Sequence, residues 1–320
     1  MSTLARNANI GLDLGGKTAA IAGGTQGIGA ATGLRFAQAG ANVYIIGRNA
    51  ELGAQVVEKM RNAGEMAQGR TFEFIQADLS SVKEVKRVAD ELKAKTGAKG
   101  IDFLVQTQGG PPNGSYNLTS TTPAHESHFA VQTLSRFALA YLLASSGTLK
   151  QAWVNVLAPS GTSGPEPDVD DIELASEKQR KKFLPGRVLA QGGQDSALGD
   201  AMISHFPRAF PSLRSYHLFP GYVYTDALKS SHLLPSPFVW AHNLVGPYMA
   251  RFLPFGNLPQ WYAEIPVYVA ANPEARGREE LRFVNQGLKD LGMPKWAKQE
   301  KGGVAEKVWD KLKMMVESEA

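Results

Sequence analysis

The chain of 320 residues contains no cysteine. This absence excludes disulfides, thiolate metal sites and a cysteine nucleophile. Long apolar runs are also lacking: the longest, Phe137 to Ala144, is far shorter than the roughly 20 residues that span a bilayer. The first 16 residues have no apolar stretch of the kind found in secretory signals. We therefore expect a cytoplasmic protein without a membrane span.

Strong charge of either sign is lacking too. The formal net charge is +4 and the pI about 9.1, too weak a bias to predict a nucleic-acid partner. The sequence has no His-Glu-x-x-His pattern and no Gly-x-Ser-x-Gly pattern, so we predict neither a zinc protease nor a serine hydrolase, and no metal site. With 43% apolar and 20% charged residues, the composition is that of a globular domain.

What the sequence does contain is a regular alternation of short apolar segments and amphipathic stretches. Six segments have the composition of strands: KTAAIAGG, ANVYIIG, TFEFIQAD, IDFLVQTQGG, AWVNVLAPSG and LRSYHLFPG. The stretches between them place apolar residues at three- and four-residue spacing, which is typical of helices. The alternation predicts an α/β fold with a doubly wound, mostly parallel (Rossmann) sheet, helices on both faces, and ligands at the carboxyl ends of the strands.

Composition also suggests how the chain is divided. We predict an N-terminal extension over 1–16, one Rossmann domain over 17–290 with a lid at about 226–262, and a C-terminal helical extension over 291–320. The lid and a polar loop over 158–187 both leave strands at their carboxyl ends, so both are expected to line a substrate cleft. Aromatic residues in and before the predicted lid favour a bulky, largely apolar or aromatic small-molecule substrate. The alternative is that they pack within the lid or form a dimer contact. They are Tyr222, Tyr224, Phe238, Trp240 and Tyr248.

A glycine-rich turn, AIAGGTQGIGAA, joins the first strand to the first helix through Gly23, Gly27 and Gly29. Glycines at such a junction let the backbone approach a pyrophosphate, which the helix N-terminus attracts. Arg48 lies nineteen residues beyond Gly29, and no carboxylate occurs between Arg48 and Glu51. Because a guanidinium suits a ribose 2′-phosphate and a carboxylate repels it, we predict NADP(H) as the cofactor.

Four motifs resemble those of the short-chain dehydrogenase/reductase superfamily and follow one another along the chain as they do in that family. GGTQGIG is similar to that family's TGxxxGxG turn, with Ala22 in place of the usual Thr, and LVQTQGG occupies the place of LVNNAGG. Asp78 and Leu79 match the Asp-Leu that borders the adenine, and PGYVYT matches the PGxVxT segment that cradles the nicotinamide carboxamide. The resemblance covers residues 17 to 225 and implies a homodimer or homotetramer. The helical stretch HFAVQTLSRFALAYLL and the extended tail are more similar to the family's retinol-dehydrogenase-like and fungal members.

The glycine turn, the second strand and the resemblance together predict the cofactor-binding residues. They are Gly23, Thr25, Gln26, Gly27, Ile28, Gly29, Arg48, Asn49, Asp78, Leu79, Thr107, Gly109, Pro220, Gly221, Val223 and Thr225.

The catalytic residues of the resembled family are missing. That family uses a Ser after the fifth strand, an Asn on the long helix before it, and a Tyr-x-x-x-Lys motif, whose phenol exchanges a proton with the substrate oxygen. Here Ala158 stands at the position of the Ser, and Gln132 at that of the Asn. The segment 186–197 contains neither Tyr nor Lys, and no Tyr occurs between Tyr141 and Tyr216.

The nucleotide-binding motifs are present, whereas the residues that transfer the proton in the resembled family are missing. Three functions are compatible with this combination. The first is an NADP(H)-dependent oxidoreductase that reduces an activated C=N, C=C or C=O bond. The second is a redox-neutral cyclase or isomerase on the same scaffold, and the third is a non-catalytic NADP(H) sensor. Fold alone does not choose between them.

Neighbouring elements carry candidate replacements for the missing catalytic residues. His128, Gln132 and Arg136 are spaced i, i+4, i+8, so they share one face of the long helix. We predict that Asp171, in the acidic loop PDVDD, pairs with Arg136 as a substitute dyad. The alternatives are a solvated acidic loop for Asp171 and a structural ion pair or helix-end cap for Arg136. Ser160 is a candidate hydrogen-bonding partner for a substrate oxygen, with a role in the turn as the alternative.

Overall fold

The computed structural model describes residues 3–109, 114–225, 256–298 and 302–319, together with 246, 248 and 250. Seven parallel strands form the main sheet, in the order β3-β2-β1-β4-β5-β6-β9. They are β1 Thr18–Ala22, β2 Asn42–Gly47, β3 Phe72–Gln76, β4 Ile101–Gln106, β5 Leu149–Val156, β6 Arg214–Leu218 and β9 Phe283–Val284. The short strands β7 Tyr222–Val223 and β8 Gly256–Asn257 pair separately.

Helices connect the strands and cover the sheet. They are α1 Thr3–Ala8, α2 Gly27–Gln38, α3 Ala50–Arg61, α4 Val82–Thr96, α5 Ser127–Phe129, α6 Ser135–Ser145, α7 Glu177–Arg180, α8 Leu184–Ala209, α9 Pro259–Tyr262, α10 Glu264–Ala271 and α11 Val304–Ser318. Residues Ala130–Leu134 form a π-helical turn that joins α5 to α6. None of the helices within the described ranges is long and apolar enough to cross a bilayer.

The sheet is buried on both faces, as the near-continuous apolar strands require. All five residues of β1 are buried. One core lies between the sheet and helices α4, α6 and α8, and includes Trp153 and Phe137. The other lies between the sheet and helices α2, α3 and α10, and includes Phe36 and Tyr268. The doubly wound parallel sheet predicted from the alternation is therefore confirmed.

The strand order places one crevice at the carboxyl edge. The chain passes from β1 outward through β2 and β3, then returns to the other side of β1 with β4. At such a reversal the two flanking connections diverge, which opens a crevice above the carboxyl ends of β1 and β4. The glycine turn follows β1 and the segment from Thr107 follows β4, so the sequence motifs meet at this crevice.

Both predicted extensions pack against the domain. At the N-terminus, Asn272 Nδ2 donates to the carbonyl oxygen of Ala8 at 2.8 Å, and Asn9 Nδ2 donates to Glu264 Oε2 at 2.8 Å. At the C-terminus, α11 lies across α6 and α8, with the Trp309 ring edge-on to Phe137 at 4.9 Å between centroids. Both segments are therefore parts of the folded domain.

Only the last part of the predicted lid, residues 256–262, lies in a continuous described range. Residues 256–262 form β8 and α9, and the side chain of Tyr262 is fully buried, which raises the pKa of its phenol. The buried side chains of Asn257 and Tyr262 anchor this end of the predicted lid to the domain. Tyr248 is 64% exposed. Phe238 and Trp240, with most of the predicted lid, lie outside the described residues.

Candidate active site

The turn after β1 is held in a form that only glycine tolerates. Gly23 has φ +75° and Gly27 has φ +55°, both in the left-handed region. A Cβ on Gly29 would lie 2.3 Å from the carbonyl oxygen of Gly23 and 2.5 Å from Thr107 Oγ1. The absence of a side chain at Gly29 therefore lets α2 approach the turn closely. Thr107 fixes the other side, since its hydroxyl donates to the carbonyl oxygens of Ala22 at 3.1 Å and Gly23 at 3.2 Å.

The start of α2 leaves backbone donors at the crevice. Gln26, the N-cap of this helix, makes no hydrogen bond through its side chain to the first turn. The first N–H groups of a helix lack partners within the helix, and the macrodipole adds partial positive charge there. Thr25 packs against Gly47, and Ile28 packs on the core beneath the turn. This arrangement suits a pyrophosphate.

The PGYVYT segment closes over the glycine turn. Thr225 contacts Gly27, whose ideal Cβ would lie 3.2 Å from Thr225 Cγ2. Gly221 has φ +66°, and Val223 packs against the core. The Pro220 carbonyl oxygen accepts from Asn257 Nδ2 at 3.5 Å. The turn and this segment, nearly 200 residues apart in sequence, are thus adjacent, as the resemblance implies.

Arg48 is exposed at the carboxyl end of β2. Its guanidinium makes no hydrogen bond or ion pair with any residue in the described ranges, although its carbonyl oxygen accepts from Gln76 Nε2 at 3.1 Å. Asn49 has a structural role, because its Oδ1 accepts from Leu52 N at 2.9 Å and caps α3. The guanidinium is therefore available to an anionic ligand.

The remaining cofactor candidates also lie at the carboxyl edge. After β3, Leu79 is buried, while Asp78 is exposed and accepts from Ser80 N at 3.1 Å. After β4, Gly109 has φ +104°, and a Cβ there would overlap Gln132 Oε1. These positions, the glycine turn and Arg48 all follow the carboxyl ends of β1 to β4, the edge at which doubly wound sheets bind ligands. No cluster of three potential metal ligands occurs among the described residues.

The helix α5–α6 presents the predicted stripe of His128, Gln132 and Arg136 inward. Gln132, the middle residue of this stripe, contacts Gly109 in the segment after β4. The residue one turn deeper, Arg136, is 2% exposed. The π-helical turn Ala130–Leu134 lies between the first and last members of the stripe. Such turns are frequent at functional sites.

Arg136 joins the carboxyl ends of two central strands. Its Nη1 donates to Gln106 O at 3.2 Å, Val156 O at 3.1 Å and Asn155 Oδ1 at 2.5 Å. Its Nη2 donates to Gln108 O and to Gln132 Oε1, the latter at 3.3 Å. Burial lowers the pKa of the guanidinium to about 9, so it remains charged at neutral pH. The arginine therefore supports the floor of the crevice.

The predicted Asp171–Arg136 pair is not formed. Asp171 Oδ1 accepts from Ala175 N at 2.7 Å and Ser176 N at 3.1 Å, which closes a turn in the loop after β5. Every described partner of Arg136 is an oxygen of β4, β5, their C-terminal continuations or Gln132. Local N–H groups bind the carboxylate of Asp171, and strand-end oxygens together with Gln132 bind the two Nη atoms of Arg136.

Ser160 belongs to a buried polar chain. Its backbone N donates to Asp200 Oδ2 at 2.9 Å, and its hydroxyl donates to the same oxygen. The other oxygen of Asp200 lies 2.8 Å from His217 Nδ1, and both of these side chains are fully buried. Because the single hydroxyl proton of Ser160 is directed to Asp200, it is not available to a substrate oxygen.

Residues 186–197, where the resembled family keeps Tyr and Lys, form the first part of α8. Two of its glutamines hold neighbouring loops: Gln191 Oε1 accepts from Gly114 N at 2.7 Å, and Gln194 Oε1 accepts from Asp168 N at 2.9 Å. Asp195 instead meets the long helix, with Oδ2 2.6 Å from His128 Nε2. Sequence reasoning placed His128 on the inner face but did not identify Asp195 as its partner.

The His128–Asp195 pair is largely removed from solvent. The exposed fractions of the two side chains are 12% and 7%. Burial opposes the charged imidazole, whereas Asp195 and Glu126 favour it, and the net effect raises the pKa of His128. An acid–base pair therefore lies between the two helices that border the crevice.

Comparison with known proteins agrees with this fold and these motifs. The family model described as short chain dehydrogenase matches residues 17–159. A short-chain dehydrogenase/reductase of Colletotrichum higginsianum is 31% identical over 131 residues, 41% of this chain and 31% of that protein. An oxidoreductase of Emericella variicolor is 25% identical over 214 residues, 66% of this chain and 58% of that protein. The match thus spans about a third to three fifths of these relatives.

Solved structures share the fold. The angucycline C-6 ketoreductase LanV with bound NADP aligns with a TM-score of 0.61 at 20% identity, over 87% of this chain and 97% of that one. A 7α-hydroxysteroid dehydrogenase complexed with NADH and 7-oxoglycochenodeoxycholic acid aligns with a TM-score of 0.60 at 19% identity, over 88% of this chain and 98% of that one. The sheet and its helices are those of a doubly wound α/β protein. More narrowly, residues 17–159 match the short chain dehydrogenase family, and the chain is similar to proteins of the short-chain dehydrogenase/reductase superfamily.

Proposed function

We propose that the protein is an NADP(H)-dependent oxidoreductase that reduces an activated C=N, C=C or C=O bond of a bulky, largely apolar small molecule. The observation that carries the cofactor assignment is the exposed guanidinium of Arg48 at the end of β2, without a partner in the described part of the chain. A ribose 2′-phosphate would complete its hydrogen bonds with charge-assisted contacts. NADH offers only a hydroxyl there.

The residues of the crevice fit the remainder of this cofactor. The turn from Gly23 to Gly29 and the first N–H groups of α2 would hold the pyrophosphate. The segment Pro220–Thr225 would border the nicotinamide, and Leu79 the adenine. When bound, the reduced nicotinamide supplies a hydride to an unsaturated carbon.

The catalytic part of the crevice favours substrates that accept hydride readily. No phenol or lysine ammonium is present over 186–197, and the Ser160 proton is directed to Asp200. Imines, iminium ions and conjugated carbonyl compounds need less acid assistance than simple ketones. Tyr222 and Tyr224 are half-buried in the segment that borders the crevice, and they support a substrate with an apolar or aromatic body.

Turnover with a chemically graded panel tests this proposal. Purified protein is incubated with NADPH and, separately, a cyclic aryl imine, a bulky enone, an aromatic diketone and a simple aryl ketone. We expect NADPH oxidation with reduced product for at least one activated substrate, at a higher rate than for the simple ketone. Product formed without NADPH oxidation would instead support a cyclase or isomerase. No product from any of them would refute the proposal.

A further inference from the structure

A reduction at this crevice requires a proton as well as a hydride, and the four side chains selected from the sequence do not provide it. All described donors of Arg136 except the buried Nε are directed to protein oxygens, and an arginine is a poor acid at neutral pH. Gln132 carries no acidic proton. Asp171 caps a turn, and Ser160 donates to Asp200. The donor must be another group.

His128 is placed where such a donor is needed. It lies on the inner stripe of the long helix, one turn before Gln132, which contacts Gly109 at the end of β4. At about 1.5 Å per residue, the four-residue spacing puts His128 about 6 Å nearer the N-terminal end of the helix, which the chain enters from the carboxyl end of β4. With 12% of its side chain exposed, the imidazole is largely shielded from bulk water but not fully enclosed.

Asp195 fixes the imidazole. Its Oδ2 lies 2.6 Å from Nε2, whereas Nδ1 of His128 makes no hydrogen bond to any residue in the described ranges. A carboxylate that accepts a hydrogen bond from Nε2 keeps a proton on that nitrogen. It also stabilises the imidazolium, the form in which Nδ1 is protonated as well. The free nitrogen is therefore the one that exchanges protons.

We propose that His128, oriented by Asp195, is the catalytic acid of this oxidoreductase, an inference that rests on the proposed function. As the unsaturated carbon gains a hydride, which a bound reduced nicotinamide would supply, the π electron pair of the C=O or C=N bond moves to the heteroatom. For a conjugated C=C bond the pair moves to the conjugated oxygen. That atom bonds the proton of Nδ1. The imidazolium becomes a neutral imidazole with its remaining proton on Nε2, facing Asp195, and solvent restores the lost proton.

The charged groups around the imidazole favour this role. Asp195 faces it from α8, Glu126 from the turn before its own helix, and Arg136 from two turns deeper. The two carboxylates favour the imidazolium, and they outweigh the opposing effects of the guanidinium and of burial on the pKa. Reduction should therefore be fastest below the pKa of His128 and should slow as the pH rises through it.

Three variants test the assignment, with the best substrate of the panel and NADPH. His128→Gln keeps a donor toward Asp195 but has no transferable proton, and we expect kcat to fall about 10²- to 10⁴-fold. Asp195→Asn should lower kcat less and move the falling limb of the pH–rate profile to lower pH, because the imidazolium loses its carboxylate. His205→Gln is the matched control, since His205 packs on Trp309 away from the crevice. Its kcat should stay within about twofold of the parent.

A readout independent of turnover completes the test. With histidine labelled at Cε1, the NMR signal missing in His128→Gln identifies His128, and its pH titration gives the pKa. We expect a value above that of ordinary histidine, lowered in Asp195→Asn, and an NADPH dissociation constant unchanged in both variants.

Each outcome bears on a distinct claim. An unchanged kcat in His128→Gln, or the same His128 pKa with and without Asp195, would overturn the assignment while leaving the reductase intact. Absence of turnover by the parent protein would refute the proposed function and this inference together. Loss of NADPH binding in His128→Gln would also overturn the assignment, because it would show a role in the binding site.

Discussion

Replacing Arg136 with methionine should lower the free energy of unfolding by about 3 kcal/mol. The guanidinium is 2% exposed and donates to five oxygen atoms at the ends of β4 and β5 and on Gln132. Methionine fills much of the same space but leaves these acceptors without a donor, at about 1 kcal/mol or more each. Relief from burying a charge offsets part of this loss, by about 2 kcal/mol.

Urea unfolding followed by tryptophan fluorescence measures the change at pH 7, where the guanidinium is charged. Trp153 lies in the same buried layer, with Nε1 donating to Gln106 Oε1 at 2.7 Å, so its emission reports this region. Arg61→Met is the matched control, because that side chain is 61% exposed and should contribute within about 0.5 kcal/mol. A loss for Arg136→Met no larger than that of the control would refute the idea that Arg136 holds the two strand ends together.

Three further perturbations test other parts of the account. Gly29→Ala places a Cβ 2.5 Å from Thr107 Oγ1. The affinity for NADPH, measured by fluorescence titration, should therefore fall at least about 10-fold. Gly193→Ala is the control and should leave the affinity unchanged, because the space around its Cβ is open. Arg48→Glu should weaken NADPH about 10- to 100-fold and spare NADH, measured by calorimetry; equal losses for both would contradict the assignment. Trp309→Ala removes a 5% exposed ring from between α6, α8 and α11, and should cost about 3–5 kcal/mol in urea unfolding; a loss under about 1 kcal/mol would show that α11 packs loosely.

Local patterns explain why much of the fold could be predicted. The six strands from Thr18 to Leu218 are apolar runs separated by helices with clear three- and four-residue spacing, and all six are present. The glycine turn is equally local, because its conformation depends on a few consecutive residues. The seventh strand, Phe283–Val284, has only two residues and gives no periodic signal. It forms because β6 offers an edge for pairing.

The site could be predicted only in part, because side-chain partners depend on distant segments. The stripe of His128, Gln132 and Arg136 follows from helical spacing alone. Their partners do not: Asp195 is 67 residues from His128 in sequence. The pairing of Asp171 with Arg136 followed from opposite charge, and it is not formed because nearer groups satisfy both. The N–H groups of Ala175 and Ser176 reach the carboxylate first.

The central claim, an NADP(H) site built on the glycine turn and Arg48, is tested most directly by calorimetric titration of the purified protein with NADPH and NADH. We predict that NADPH binds at least about 10-fold more tightly, because the guanidinium gains charge-assisted hydrogen bonds to the 2′-phosphate. Equal or tighter binding of NADH, or binding of neither dinucleotide, would contradict the claim.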